Sequence, residues 1–131
     1  MFNRRLFIGA LALGAALSLS PLASAMSPAS YSQQAFATAQ AAGKPILLHI
    51  TAPWCPTCKA QKPILSKLET LPKFKNLVVL NIDFDTSKPL LRTLHVAQQS
   101  TLIVYKGDKE VGRSTGDTNP ASIEALLGKT N

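Results

Sequence analysis

Apolar residues along this chain fall into short, nearly continuous runs that are typical of buried β-strands. Residues 45–51 and 76–83 each contain a run of consecutive apolar residues, which favours strands covered on both faces, as in a parallel sheet. Residues 101–105 form a third strand-like run. A polar turn at 106–109 then predicts a return strand over 110–114, antiparallel to the run before it.

Segments between these strands carry helical signals. Gly43 can end a first helix, and a second begins at Cys55 or Cys58 and continues beyond Pro63, where we expect a kink. Pro120 suits the first position of a last helix with one apolar face. The helices expected from these patterns cover about 30–42, 55–71, 86–95 and 119–127.

The order of elements predicts an α/β fold. The first strand, helix and next strand form a βαβ unit, so these two strands are parallel with a right-handed crossover. The second half adds a hairpin and a covering helix. We therefore expect a central four-stranded mixed sheet with helices on both faces.

The N-terminal residues have the pattern of an export signal. Arg4 and Arg5 precede an apolar stretch over 6–19, and the small residues at 23–25 match a signal-peptidase site. A membrane-spanning helix needs about 20 apolar residues, so this stretch is short for a membrane anchor. An uncleaved anchor is the alternative.

Cleavage there divides the chain into a signal peptide, 1–25, and one domain, 26–131. The Asn3-Arg4-Arg5 start also resembles a twin-arginine signal, so either the Sec or the twin-arginine route is open. We expect a periplasmic protein, in a compartment where cysteines can pair.

Composition narrows the possible functions. With 131 residues, 46% of them hydrophobic, the chain suits one folded domain rather than a disordered segment. Its 14 lysines and arginines give a net charge of +7, but they are scattered and do not alternate with aromatic residues, so we expect no nucleic-acid binding. Two cysteines are too few for a four-thiolate zinc site or an iron–sulfur cluster.

The two cysteines, Cys55 and Cys58, are the strongest candidates for chemistry. Their spacing places the sulfurs one helical turn apart, close enough to bond to each other. Cys55 would lie at a helix N-terminus, where free N–H groups and the helix dipole favour thiolate over thiol, and Lys59 adds positive charge. We therefore expect Cys55 to attack a partner disulfide and Cys58 to resolve the mixed disulfide.

Other roles for the pair carry less support. A purely structural disulfide closing so small a loop would constrain the unfolded chain little. A metal site would need further ligands, and only His49 and His95 are available. Attachment of haem requires a histidine directly after the second cysteine, where Lys59 stands.

The sequence around the cysteines resembles the thioredoxin family. Trp-Cys-Pro-Thr-Cys-Lys at 54–59 follows a buried strand, and Pro63 comes eight residues after Cys55. Further similar positions are Asn81-Ile82-Asp83, the run 101–105 and Gly116. The resemblance covers about 30–128, and Gly43-Lys44-Pro45 is most similar to periplasmic members.

This resemblance implies a thioredoxin fold without the extra N-terminal strand of thioredoxin itself. It implies a thiol–disulfide oxidoreductase that exchanges disulfides with protein thiols, with no bound cofactor or metal, and we expect a monomer. A reducing role in the periplasm would need electrons from a membrane thiol-reductant conductor.

The chain departs from the family pattern at two single positions and, as a third departure, in the dipeptide Pro56-Thr57 between the cysteines. The family's buried acid, six residues before the first cysteine, is replaced by His49, whose imidazole could relay the proton of the resolving cysteine. The family's cis-proline is replaced by Ser100, and we expect a trans Gln99–Ser100 bond because a cis bond without proline costs about 2.5–4 kcal/mol.

The resemblance also implies a substrate groove beside the dithiol. Its expected residues are Trp54, Pro56, Thr57, Ser100 and Thr101. The dipeptide between the two cysteines tunes the reduction potential across the family. Pro56-Thr57 does not indicate whether this chain would oxidise or reduce its partners. Two other functions remain as alternatives on the same fold, a non-catalytic extracytoplasmic binding module and a metallochaperone.

Overall fold

A computed structural model describes residues 28–131, so the predicted signal peptide lies outside the described residues. The chain forms a mixed five-stranded sheet with the strand order β1-β3-β2-β4-β5. Its elements are β1 (Ala29–Ser30), α1 (Gln33–Ala41), β2 (Pro45–Thr51), α2 (Pro56–Glu69), a 3₁₀ turn (Pro72–Phe74), β3 (Val78–Asp83), α3 (Lys88–Thr93), β4 (Thr101–Lys106), β5 (Lys109–Thr115) and α4 (Pro120–Gly128).

The central strand β2 is covered on both faces, which explains its unbroken apolar run. It pairs in parallel with β3 and antiparallel with β4. Leu48 and its alternate neighbours pack with residues of α1 and α3, such as Phe36. Leu47 faces the other way and packs with residues of α2 and α4, such as Leu65. The predicted α/β architecture with helices on both faces is confirmed.

The predicted number of strands was wrong by one. Ala29 and Ser30 form a short edge strand that pairs in parallel with Leu80 and Asn81 of β3. The fold therefore includes the N-terminal strand that we expected to be missing. Both strand residues are exposed, and two residues are too few to show the alternation by which a strand is recognised in a sequence.

Helix boundaries differ in detail from the predicted ones. The first helix begins after Ser32, whose hydroxyl accepts the N–H of Ala35 at 3.0 Å, because the residues before it belong to β1. The second helix continues through Pro63 as predicted. Among the described residues, no helix is long and apolar enough to span a membrane.

Candidate active site

The two cysteines lie where the central strand passes into α2. After β2, the exposed residues Pro53 and Trp54 lead into Cys55, which is the N-cap of the helix. The Cys55 Sγ accepts the backbone N–H of Cys58 at 3.1 Å, so the sulfur takes the place of the oxygen that usually caps a helix. The two residues form a disulfide, with their Cα atoms 5.3 Å apart.

The environment of the pair favours negative charge on Cys55. The N-terminus of α2 directs unpaired N–H groups and the positive end of its dipole towards this sulfur, and the first turn contains no acidic residue. Both cysteines are buried, at 1% and 0% exposure, in a small cluster with Ala52 and Phe84. The two sulfurs therefore lie in largely apolar surroundings.

Ser100, at the start of β4, touches both sulfurs. Its Oγ lies 3.1 Å from the Cys55 Sγ and 3.2 Å from the Cys58 Sγ. The Gln99–Ser100 peptide bond is trans, as predicted. The N–H that a proline would lack is donated to the carbonyl of Ile50 at 2.8 Å, so this residue is joined directly to the central strand.

The backbone of Ser100 has an uncommon conformation. Its φ of 61° lies in the left-handed region, which costs a residue other than glycine about 1–2 kcal/mol. The carbonyl of Ser100 accepts two hydrogen bonds, from the N–H of Gly116 at 3.0 Å and from the Gln61 Nε2 at 3.1 Å. Together with the bond to Ile50, these contacts hold the residue in place.

His49 lies on β2, buried beneath the helix that carries the cysteines. Its Nε2 lies 3.1 Å from the Gln61 Oε1. Burial lowers the pKa of His49 below its ordinary value; the hydrogen bond to Gln61 partly offsets this effect, and the positive charge of Lys62 adds to it. The imidazole is therefore neutral near pH 7. None of the hydrogen bonds found in residues 28–131 joins it directly to a sulfur.

Gln61 is a site residue that our sequence analysis missed. It is fully buried in α2, and its Nε2 donates to two backbone carbonyls, those of Ser100 and, at 2.9 Å, Asp117. Carbonyls only accept, so the amide orientation is fixed and its Oε1 must accept a hydrogen from the His49 Nε2. The available signal was a polar residue on the buried face of a helix, since position 61 shares that face with Cys58 and Leu65.

The predicted groove residues separate into two groups. Trp54 is 56% exposed, Pro56 is exposed and Thr57 is partly exposed. Ser100 and Thr101 are buried, and the Thr101 hydroxyl is held within the protein by the carbonyl of Gln98 at 2.8 Å. The residues of the first group lie on the surface beside Cys55, whereas Ser100 contacts both sulfurs from within the protein.

Asp85 is a second residue that the sequence analysis did not single out. Its Oδ2 accepts the indole N–H of Trp54 at 2.8 Å, which fixes the exposed ring beside Cys55. Three or more side chains of His, Cys, Asp or Glu do not gather into a possible metal site anywhere in the described part of the chain.

Comparisons with known proteins agree with this architecture. The thioredoxin family model matches residues 27–129. A thioredoxin of Chlamydia trachomatis is 34% identical over 98 residues, which cover 75% of this chain and 93% of that protein. A crystal structure of Trxlp from Edwardsiella tarda superposes with a TM-score of 0.75 at 44% identity, covering 77% of this chain and 98% of that one.

A more distant structure, thioredoxin from Trypanosoma brucei brucei, shares the fold at 23% identity and a TM-score of 0.65, covering 76% of this chain and 86% of its own. Within this similarity the chain keeps the Cys-x-x-Cys pair on which thiol–disulfide exchange depends. The chain is a thiol–disulfide oxidoreductase and belongs to the thioredoxin family.

Proposed function

We propose that the protein is exported and exchanges disulfides with protein substrates in the periplasm, with Cys55 as the nucleophile and Cys58 as the resolving residue. The observation that carries this assignment is the asymmetry of the two sulfurs. Only the Cys55 Sγ caps the helix and accepts a backbone N–H, that of Cys58. A thiolate is therefore stabilised at Cys55.

In the reducing direction, the Cys55 thiolate attacks one sulfur of a partner disulfide. A bond forms between Cys55 and that sulfur, and the other partner sulfur leaves as a thiolate. Cys58 then loses its proton and attacks the Cys55 Sγ, which forms the Cys55–Cys58 disulfide and releases the second partner thiolate. Two electrons pass to the partner, and the reverse sequence oxidises a partner dithiol.

His49 is the proposed acceptor of the proton that Cys58 loses. It is buried, neutral near pH 7 and on the strand beneath α2. Because its Nε2 donates to Gln61, the nitrogen free to accept a proton is Nδ1. His49→Ala should slow resolution more than the first attack, and His49→Asp should restore part of the rate.

Partner proteins would dock on the exposed surface beside Cys55. Trp54, held by Asp85, offers a fixed apolar ring there, and Pro56 extends this surface. A monomer suffices for this chemistry, since both cysteines come from one chain. For a reducing role, we propose that a membrane thiol-reductant conductor supplies the electrons.

The proposal of export is supported by the sequence of residues 1–25 and is tested separately from the chemistry. The protein, expressed in its own host, is located by cell fractionation, and its first residue is read by mass spectrometry. We expect a periplasmic protein that begins near Met26. Retention in the cytoplasm with residues 1–25 intact would contradict export but would not affect the proposed thiol–disulfide chemistry.

The chemistry is tested by equilibrating the purified protein with glutathione buffers of graded redox ratio. Alkylation then adds mass to free thiols, and mass spectrometry counts them. We expect two thiols to appear together as the buffer becomes reducing, and the reduced protein to transfer electrons to a protein disulfide. A binding module would show no such transfer, and neither should Cys55→Ala.

A further inference from the structure

A single hydroxyl lies between the two sulfurs. Ser100 Oγ is within hydrogen-bonding distance of both, at 3.1 Å from the Cys55 Sγ and 3.2 Å from the Cys58 Sγ. Sulfurs in a disulfide carry no hydrogen, so in these contacts the hydroxyl is the donor. Among the hydrogen bonds of the described residues, it is the side-chain donor that reaches both sulfurs, and the cysteines pack against the apolar side chains of Ala52 and Phe84.

The surrounding structure holds this hydroxyl in position. Ser100 is buried, and its backbone N–H and carbonyl are bonded to Ile50, Gly116 and Gln61. These three bonds maintain a left-handed backbone conformation that serine does not favour by itself. A strained residue held by several contacts next to reactive atoms suggests a role in the reaction.

From this geometry, and resting on the function proposed above, we propose that Ser100 is a catalytic residue whose hydroxyl donates a hydrogen bond to whichever sulfur carries the negative charge. In the reduced protein the hydroxyl donates to the Cys55 thiolate. Once Cys55 has joined the partner, rotation about the Ser100 Cβ–Oγ bond turns the same hydrogen towards Cys58 as that thiol ionises, because the Oγ already lies within reach of both sulfurs. No proton is transferred to or from Ser100 itself.

The two sulfurs differ in the number of hydrogen-bond donors that reach them. The Cys55 Sγ has two donors, the Cys58 N–H and the Ser100 hydroxyl, whereas the Cys58 Sγ has the hydroxyl alone. Hydrogen bonds to charged groups are stronger than neutral ones, and a buried site strengthens them further. Removing the hydroxyl should therefore make the thiolate form of both cysteines less stable relative to the thiol.

The test compares the ionisation of each thiol with and without the hydroxyl, in reduced protein and without any substrate. Cys58→Ala leaves Cys55 as the single thiol, and Cys55→Ala leaves Cys58. Each is combined with Ser100→Ala, and absorbance at 240 nm is followed against pH. We expect the midpoint to rise by about one pH unit in both pairs, which is about tenfold less thiolate below the midpoint.

The rate of Cys55 alkylation gives an independent readout. Tenfold less thiolate is partly offset by greater intrinsic nucleophilicity, so the rate below the midpoint should fall about threefold. The ionisable groups on the elements around the dithiol are the same in all these variants, namely His49 on β2, Lys59 on α2 and Asp85, which is bonded to Trp54.

Matched variants separate donation from folding. Ser114→Ala removes a buried hydroxyl that has no partner in the described structure and lies on β5, and it should leave both midpoints unchanged. Ser100→Gly also removes the hydroxyl but suits the left-handed backbone, so it should reproduce the shift with less loss of stability.

Three outcomes would overturn the proposal: unchanged midpoints in Ser100→Ala and Ser100→Gly, an equal shift in Ser114→Ala, or a shift at Cys55 without one at Cys58. Failure of the proposed function is a different result. It would appear as absence of disulfide transfer by the wild-type protein, whatever the titrations of the Ser100 variants give.

Discussion

Replacing Gln61 with leucine tests whether the buried polar network stabilises the fold. Leucine has a similar size but makes none of the three hydrogen bonds of Gln61. The Ser100 carbonyl keeps the N–H of Gly116, but the buried His49 Nε2–H and the partly buried Asp117 carbonyl lose their partners. Each buried polar group left without a partner costs about 1–3 kcal/mol. We expect the free energy of unfolding to fall by about 3 kcal/mol.

Urea unfolding of the oxidised protein measures this loss. With a slope of about 1–3 kcal/mol per molar urea, the midpoint should fall by roughly 1–3 M. Gln34→Leu on the exposed side of α1 is the matched control and should change stability by less than about 0.5 kcal/mol. Gln61→Leu leaves the His49 N–H unpaired, and His49→Leu leaves the Gln61 Oε1 unpaired. The double variant His49→Leu/Gln61→Leu contains neither group, so it should lose at least about 1 kcal/mol less than the two single losses combined. A loss below about 1 kcal/mol in Gln61→Leu, or strict additivity, would refute this reasoning.

Three further predictions follow from contacts near the site. Burial lowers the pKa of His49 from 6.5, so the folded state binds fewer protons than the unfolded chain. The neutral imidazole therefore contributes to stability fully above about pH 6.5, and this contribution is lost as the pH falls towards the lowered pKa. As the pH is lowered from 7 to 5, the free energy of unfolding should therefore fall more steeply in the wild type than in His49→Leu, and parallel curves would contradict this prediction. Glu69, whose pKa is raised by burial, has the opposite trend and is present in both proteins. Asp85→Ala removes the acceptor of the Trp54 indole N–H, so it should change the fluorescence of this single tryptophan and slow exchange with protein disulfides a few-fold, but not exchange with a small disulfide. Asp85→Asn keeps an acceptor and should resemble the wild type. Equal slowing with both kinds of disulfide would argue against a docking role. Phe74→Ala should lower the free energy of unfolding by about 3–5 kcal/mol, because this buried ring fills the core under α2 and α4, and a loss below about 1 kcal/mol would show that the core closes around the gap.

Fold and dithiol could be predicted from the sequence because each rests on a local pattern. The continuous apolar run at 45–51 identifies a central strand, and the spacing of Cys55 and Cys58 identifies the redox pair. β1 could not be predicted, because it consists of two exposed residues whose only signature is pairing with β3.

The hydrogen-bond network of Gln61, His49 and Ser100 could not be predicted from local sequence patterns either. Gln61, on α2, bonds to His49 on β2 and to the carbonyl of Ser100, which lies 39 positions further along the chain. Its role therefore arises only when α2 packs on the sheet. Its sequence signal is a single polar residue on an apolar helix face, which does not reveal its partners. Ser100 was identified as unusual, but its contact with both sulfurs depends on a backbone conformation that the sequence does not indicate.

The central claim, that Cys55 attacks and Cys58 resolves, is tested most directly by removing the resolving thiol. Reduced Cys58→Ala is mixed with a protein disulfide, and the products are separated without reductant and mapped by mass spectrometry. The account predicts a stable mixed disulfide on Cys55, and no comparable adduct on Cys58 in the matched variant Cys55→Ala. Accumulation of the adduct on Cys58 in Cys55→Ala, with none in Cys58→Ala, would contradict it.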